Sequence, residues 1–348
     1  MKKYINTSLS IVLLLSVLLY ACDLEEPAPA GASDNPQVSE VIPAEGTANQ
    51  TLTLKGSGLG NITSVVFSGN DASVYINPTL NTGEAFIFHV PIDAAVGEQD
   101  IVFTNGKGVS FTVPFKVLGF ATITDVSNYN FSEGDELTLT GKNLDDVSRV
   151  LITGTTTEVA IVSKTATSLT VKMPASDLNE LTLSIENLAG VKETEQVFVN
   201  RDKAFLIFTD EYAPGYSDQS WFSPATISTD VFKSGTASVA KTYKPWDIFG
   251  FGWTNTENDD FKYLSFWMKG ASIDLDLYII TDKSESTWET WKDYNKITVP
   301  ANEWTYFKIP VDQLKLWETG SPWGILVWRI QDVIEGQTVY IDDVMFIR

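Results

Sequence analysis

Leu-x-Leu alternation opens two separate stretches of the chain in the same way. In VSEVIPAEGTANQTLTLKGSGLGNITSVVFSG (38–69) Leu52 and Leu54 alternate with Thr and Lys, and Gly56 and Leu59 follow. In ITDVSNYNFSEGDELTLTGKNLDDVSRVLITG (123–154) Leu137, Leu139, Gly141 and Leu144 stand at a constant offset of 85 residues, as do Val126, Val150 and Gly154 relative to Val41, Val65 and Gly69. Further on, Pro91 meets Pro174, and Asn105 and Gly108 meet Asn187 and Gly190. Period-two alternation predicts strands with one buried face, and Gly and Asn punctuate them at the rhythm of a β-sandwich. A repeat this long is a whole domain and not a solenoid unit.

Beyond Arg201 the pattern continues with different residues. AFLIFTD (204–210), TASVAKTY (236–243), KYLSFWMKG (262–270), DLDLYIITD (274–282), WTYFKIPV (304–311), GILVWRIQD (324–332) and TVYIDDVMFI (338–347) read as strands bounded by Gly, Pro, Asp or Asn. Helical periodicity is confined to a possible turn at 311–316. The whole chain is therefore expected to be all-β, with a two-sheet jelly roll at its C-terminal end.

All ten tryptophans lie after residue 220, which marks 201–348 as a module with its own chemistry. Context sorts them. Trp267 in SFWMK and Trp328 in ILVWRI sit among apolar neighbours and are expected in the core, with Trp304 at the head of its strand. Trp221 (SDQSWFS), Trp246 (KPWDIFG), Trp253 (GFGWTNTEN), Trp288 and Trp291 (STWETWKDYNK) sit among polar residues or glycines, and Trp317 and Trp323 flank another polar loop. Indole faces displayed among Asp, Asn, Glu and Lys suit stacking on the C–H face of a pyranose, with the polar groups bonding its hydroxyls. Arg329 alternates with Trp328 and so points to the opposite face of its strand. Trp221, Trp246, Trp253, Trp288, Trp291 and, if its face is concave, Arg329 are the candidate glycan-binding residues, with packing in the core the alternative for each tryptophan.

Charge and rare residues narrow the classes. Against 24 Lys and Arg stand 45 Asp and Glu, a net charge of −21, which disfavours phosphate backbones and hence nucleic acid. One His (His89, in the strand FIFHVP) and one Cys (Cys22) leave no stock for a Cys/His metal site, a disulfide or a Cys/His nucleophile pair. Glycoside hydrolysis needs two acids about 5–10 Å apart across a cleft. Glu289 between Trp288 and Trp291 is one isolated acid, and no E-x-D-x-x-E strand motif occurs.

The first 36 residues read as an address. Lys2 and Lys3 precede an apolar run, Ile11–Tyr20, that is short for a membrane span and shaped like a secretion signal. Leu19-Tyr20-Ala21-Cys22 resembles the bacterial lipobox, which implies a signal peptide over 1–21 and lipidation of Cys22. The plain alternative is an ordinary signal peptide with a chance cysteine. Asp23-Leu24-Glu25-Glu26 resembles the surface-export signal of Bacteroidota lipoproteins. PAPAGASDNP (27–36) then makes an extended tether from the anchor, so that 22–36 links membrane and folded modules.

Several motifs carry a family resemblance. The repeats resemble IPT/TIG domains, Ig-like sandwiches with a P-x-x-G then L-x-L-x-G-x-x-L signature: Pro43, Gly46, Leu52, Leu54, Gly56 and Leu59 in the first copy (37–118). The second copy (119–200) keeps Gly134 and Gly141 but has Ser127-Asn128 in place of the proline region. KSGTASVAKTYKPWDIFGFGW, FKYLSFWMKG, EWTYFKIPV and VYIDDVMFI resemble carbohydrate-binding modules with the galactose-binding-like jelly roll. The complete layout resembles surface glycan-binding lipoproteins of Bacteroidota polysaccharide-utilisation loci. The resemblance implies a non-catalytic protein at the outer-membrane surface that binds a β-linked polysaccharide (a glucan, xyloglucan or xylan) and works beside a SusC/SusD-like transporter. The alternatives are an adhesin that contacts protein and a glycosidase. No cofactor is implied beyond a structural calcium ion on Asp210, Glu211 and Asp343, with Asp342 beside them, since the first and last strands of such a module are neighbours. The alternative for these acids is strand-end carboxylates in turns.

Overall fold

A computed structural model describes residues 31–251, 257, 259–281, 296–314, 316, 326–330 and 336–348. Trp253, Trp288, Trp291, Trp317, Trp323, Glu289 and the segment containing Cys22 lie outside them. The chain divides into two compact units, Met1–Gly119 and Phe120–Arg348.

The first unit is a β-sandwich. One sheet orders the strands Gln37–Ile42, Thr51–Ser57 and Ala85–His89, and the other has five strands with Gly97–Asn105 at its centre. Leu52 and Leu54 are fully buried while Thr51 and Lys55 are exposed, as the alternation requires. His89 is an exposed strand residue whose Nδ1 lies 3.2 Å from the Thr51 hydroxyl. Gly56 is fixed by crowding: a Cβ there would lie 2.0 Å from the Gln37 carbonyl oxygen.

The second unit starts with the second copy. Its strand Glu136–Lys142 pairs with Thr122–Val126 as Thr51–Ser57 pairs with Gln37–Ile42. Gly141 repeats the crowding of Gly56, with a Cβ that would lie 1.8 Å from the Thr122 carbonyl oxygen. The motif glycine in both copies is therefore the place where two strand backbones meet too closely for any side chain.

The C-terminal sandwich follows in the same unit. A six-stranded sheet orders Thr226–Ser228, Ser238–Tyr243, Gln337–Ile347, Tyr263–Lys269 and Trp304–Pro310, with Phe205–Phe208 also pairing Gln337–Ile347. A four-stranded sheet orders Ile248–Gly250, Leu326–Ile330, Leu275–Thr281 and Lys296–Val299. The one short helix among the described residues of this sandwich, Val311–Leu314, covers an end of the core. Leu264, Phe266 and Met268 from one sheet and Leu277, Ile279, Trp328 and Ile330 from the other fill the space between them. Trp328 is fully buried, edge-on to Phe266 at 5.1 Å between centroids.

Alternation breaks in the last strand. Val339 and Ile341 face the core, and so do Val344 and Phe346, so parity slips between Ile341 and Val344. Asp343 sits at the slip with a φ of +48°, and the pairing with Tyr263–Lys269 shifts register opposite it. This is a β-bulge. It turns Asp343 onto the outer face of the sheet, where the second Ig-like domain packs.

That junction is polar and specific. The Asp343 carboxylate accepts from Asn128 Nδ2 at 3.3 Å, Asn130 Nδ2 at 3.2 Å, the Ser234 hydroxyl at 2.8 Å and Arg201 Nη1 at 3.4 Å. Arg201 also donates to Asp135 at 2.6 Å. Asn128 Oδ1 accepts from the Trp267 indole at 2.9 Å. Tyr129 stacks on Trp267 and on Tyr306, at 5.7 and 5.0 Å. Lys308 pairs with Glu180, and Val199 joins Met345 and Ile347 in a small apolar cluster. Asn128 stands 85 residues after Pro43, so the departure of the second copy from the first supplies a residue that joins the domains.

Two expectations are corrected here. Trp267 is buried, but against the Ig-like domain and not in the sandwich core; Trp304 is half-buried on the same outer side of its sheet. Asp210, Glu211 and Asp343 are not gathered into a calcium site, and no group of three or more His, Cys, Asp or Glu suited to a metal occurs among the described residues. Asp210 Oδ1 instead accepts from the backbone of Thr236 and Ala237, Glu211 is exposed, and the bulge sends Asp343 to the junction. Gly235, at φ +62°, leaves room for the Asp210 carboxylate.

Burial, and then the neighbouring Asp343 charge, push the Asp342 carboxyl up to about 7, opposed by N–H groups of Lys233, Ser234 and Asp343. A raised folded-state pKa gives stability that is complete below the unfolded value and is lost as pH rises through about 7. Thermal melts between pH 5 and 8 should therefore show wild type losing stability with rising pH more steeply than Asp342→Asn. Asn128→Ala leaves the Trp267 N–H without its acceptor and is expected to cost about 1–3 kcal/mol in denaturant titration; no change would mean the junction bond carries no weight.

Candidate functional site

The Ig-like domain occupies part of the outer face of the six-stranded sheet, and the outer face of the four-stranded sheet is the other broad surface of this sandwich. Its composition follows from register. Ile248, Arg329, Tyr278 and Lys296 are successive cross-strand partners and so share one face. Since Trp328, Leu277 and Ile297 point inward, this row points outward. Gly250, Val327 and Ile280 form the next row, with Ile248, Ile280 and Val327 clustered and buried. Asp276 and Thr298 form a third pair at the far edge.

The sheet is widened by an irregular segment. The N–H groups of Ser217, Gln219 and Trp221 donate to the carbonyls of Phe251, Gly250 and Ile248 at 3.1, 2.9 and 3.3 Å. Trp221 thus reaches the outer end of the Ile248–Arg329–Tyr278–Lys296 row, 39% exposed. Phe222 next to it is 69% exposed and has a φ of +49°.

Trp246 is held by a tight turn. The Asp247 N–H donates to the Lys244 carbonyl at 3.1 Å, Pro245 takes the second position, and Trp246 takes the third with a φ of +64°. Pro then φ > 0 is the pattern of a type II turn, whose third position belongs to Gly or Asn. A tryptophan there bears the cost of a left-handed backbone, of order 1–3 kcal/mol. Its ring is nonetheless 45% exposed, so packing does not repay the strain. The Arg329 guanidinium carbon lies 5.9 Å from the ring centroid, within cation–π range. Desolvation lowers the Arg329 pKa from its ordinary value.

Polar groups continue the face. Asp276 accepts from the Thr298 hydroxyl at 2.6 Å and from Lys296 at 3.0 Å, and these hydrogen bonds, Thr298 first, hold its carboxyl below the ordinary value. An aromatic edge made by Trp221 and Trp246 therefore leads onto a guanidinium, a phenol, an ammonium and a carboxylate in register. Such a surface presents apolar faces beside donors and acceptors, as stacking on a sugar ring and bonding of its hydroxyls require.

Beneath the aromatic edge lies a buried ion pair that the sequence reading missed. Lys241 Nζ and Asp247 Oδ2 are 2.8 Å apart and both side chains are fully buried. Burial lowers the Lys241 pKa from its ordinary value, opposed by Asp247. The signal was present: Lys241 alternates with Val239 and Tyr243, which face the core, so a lysine stands in an inward register and needs a counter-ion. Of the six candidate residues, the structure brings Trp246 and Arg329 together and sets the backbone of Trp221 beside Ile248 at the edge of the same sheet; Trp253, Trp288 and Trp291 lie outside the described residues.

Residues 121–198 match the model of the IPT/TIG domain family. No curated protein matches the chain in sequence. Among solved structures, a surface glycan-binding protein of Prevotella bryantii is similar over 91% of this chain and 99% of its own, with 17% identity and a TM-score of 0.47. The protein SGBP-B from a complex xyloglucan utilisation locus in Bacteroides uniformis is similar over 90% of this chain and 99% of its own, with 16% identity and a TM-score of 0.43. A family 30 carbohydrate-binding module of a Clostridium thermocellum cellulosomal cellulase aligns over 41% of this chain and 96% of its own, with 20% identity and a TM-score of 0.30.

Because Gly adopts the left-handed conformation without strain, at an entropy cost of about 0.5–1 kcal/mol, Trp246→Gly is expected to be at least as stable as wild type and up to about 2 kcal/mol more stable. A loss of several kcal/mol in chemical denaturation would show instead that the indole is a packing residue.

Proposed function

We propose that the chain is a non-catalytic glycan-binding protein that holds a β-linked polysaccharide on the outer face of the four-stranded sheet of its C-terminal domain. The observation that carries the reading is Trp246: a large apolar ring kept in a backbone position suited to glycine, exposed, and beside Arg329 on a face that also carries Tyr278, Lys296 and Asp276 around a buried apolar patch of Ile248, Ile280 and Val327. Strain maintained at an exposed residue points to use of that residue. Trp221 extends the stacking edge, and Trp253, Trp288 and Trp291 are proposed to add to it. Each stacked ring contributes on the order of 1 kcal/mol, so two or three with the neighbouring hydrogen bonds reach only about millimolar affinity, which suits a polymer that engages many copies.

The ligand class proposed is a β-glucan, xyloglucan or xylan, whose equatorial linkages present flat ribbons to a row of aromatic rings. The resemblance of the N-terminal segment to a lipobox supports a lipid anchor on Cys22 at the outer-membrane surface, with the Ig-like domains as spacers. From there the protein would pass captured polysaccharide to a SusC/SusD-like transporter.

Affinity electrophoresis in gels containing xyloglucan, mixed-linkage β-glucan or xylan tests this. Retardation of wild type without loss of polymer is expected, and Trp246→Ala and Trp221→Ala should each weaken binding by about three- to tenfold. Degradation of the polymer would indicate an enzyme. Indifference to every glycan would favour an adhesin.

A further inference from the structure

We infer that Lys241 and Asp247 are positioning residues for the aromatic edge: one buried ion pair sets the spacing of the Trp221 loop and the Trp246 turn. Lys241 Nζ donates to the Trp221 carbonyl at 3.1 Å, to the Ser223 hydroxyl at 3.3 Å and to the Ser223 carbonyl. These bonds grip the loop that carries Trp221 and Phe222. The same ammonium pairs with Asp247 Oδ2, the residue after Trp246. Asp247 Oδ2 accepts in turn from the Ser223 hydroxyl at 3.1 Å and from the Lys244 N–H at 3.4 Å, while Oδ1 accepts from the Ile248 N–H at 2.8 Å. The two acidic oxygens therefore close the turn that holds Trp246 in its left-handed conformation and tie it to the neighbouring loop. The Ser223 hydroxyl, whose one proton is shared between Asp247 Oδ2 and the Thr242 carbonyl at 2.8 Å, is the third member of the set.

The chemistry explains why a charge pair is used. Trp221 and Trp246 are 39% and 45% exposed, so packing covers them less completely than a core ring. Loops without apolar cover keep a geometry only if their backbone groups are bonded to something rigid. Lys241 lies within the strand Ser238–Tyr243, whose ladder to Gln337–Ile347 is continuous, and it carries that rigidity outward through a single nitrogen. Burying two charges costs several kcal/mol before their attraction is counted, and an apolar pair of the same volume is often as stable. What the apolar pair lacks is direction: it cannot bond two carbonyls on one loop and a turn on the other. Pre-organisation of this kind raises affinity by removing the ordering of the rings from the binding step.

The inference rests on the glycan-binding reading only for its affinity arm. The test labels the full chain with 5-fluorotryptophan and assigns the Trp221 and Trp246 fluorine signals from Trp→Phe variants. In Lys241→Met both signals are expected to shift and broaden, while those of Trp267 and Trp328 stay in place. Ser223→Ala, a milder change on an accessible loop, should move the same two signals less and keeps the test valid should Lys241→Met fail to fold. Unchanged Trp221 and Trp246 signals in a folded variant, or equal movement of all four, overturn the inference. With xyloglucan as the probe, Lys241→Met is expected to bind about tenfold more weakly, and to add no further loss when Trp221→Ala and Trp246→Ala are both present. A full additive loss in that background also overturns it. Failure of wild type to bind xyloglucan or any other glycan, with the fluorine shifts as expected, removes the functional reading and leaves the positioning role intact.

Discussion

The Asp343 carboxylate is fully buried, and a carboxylate away from water must be surrounded by donors. The bulge that contains it turns the carboxylate away from the sandwich core, and the donors it finds belong to the other domain (Asn128, Asn130), the connecting segment (Arg201) and its own domain (Ser234). The second Ig-like domain and the C-terminal sandwich are thereby one physical unit. The junction takes up part of the outer face of one sheet, and Trp246 and Arg329 stand together on the other sheet of the sandwich.

The molecule uses the same device twice, for different ends. At the junction a buried acid collects neutral and charged donors to align two domains. At the aromatic edge a buried lysine and aspartate align two loops. In neither place does burial of apolar area suffice, because dispersion and the hydrophobic effect favour contact without fixing orientation. Hydrogen bonds to charged groups are directional and short-ranged, and losing one partner leaves a costly orphan. The apolar junction cluster of Val199, Met345 and Ile347 adds area; the polar set gives register.

The tryptophans show how far local context carries. The polar surroundings of KPWDIFG and SDQSWFS marked Trp246 and Trp221 as displayed, and the apolar surroundings of Trp328 marked it as core. SFWMK misled in part: Trp267 is buried as expected, but its cover is Tyr129 and Asn128 from another domain. Trp304 alternates onto the same outer side, so heading a core strand did not place it in the core. Asp210, Glu211 and Asp343, which do not form one group, are a related case. First and last strands do pair, but pairing places backbones together, and the bulge at Asp343 decides where the carboxylate goes.

The sequence by itself determined the all-β class, the duplicated Ig-like domain, the strands of the C-terminal sandwich and the motif glycines. Each of these is a constraint between residues near in sequence or in fixed register, and period two or a crowded backbone writes it directly into residue type. Only the tertiary structure decided which sheet face is covered, why Asn128 replaces the proline of the first copy, and how Lys241 reaches two loops. Those depend on partners such as Asn128 and Asp343, 215 residues apart, and no local pattern encodes which distant group will stand opposite a polar side chain.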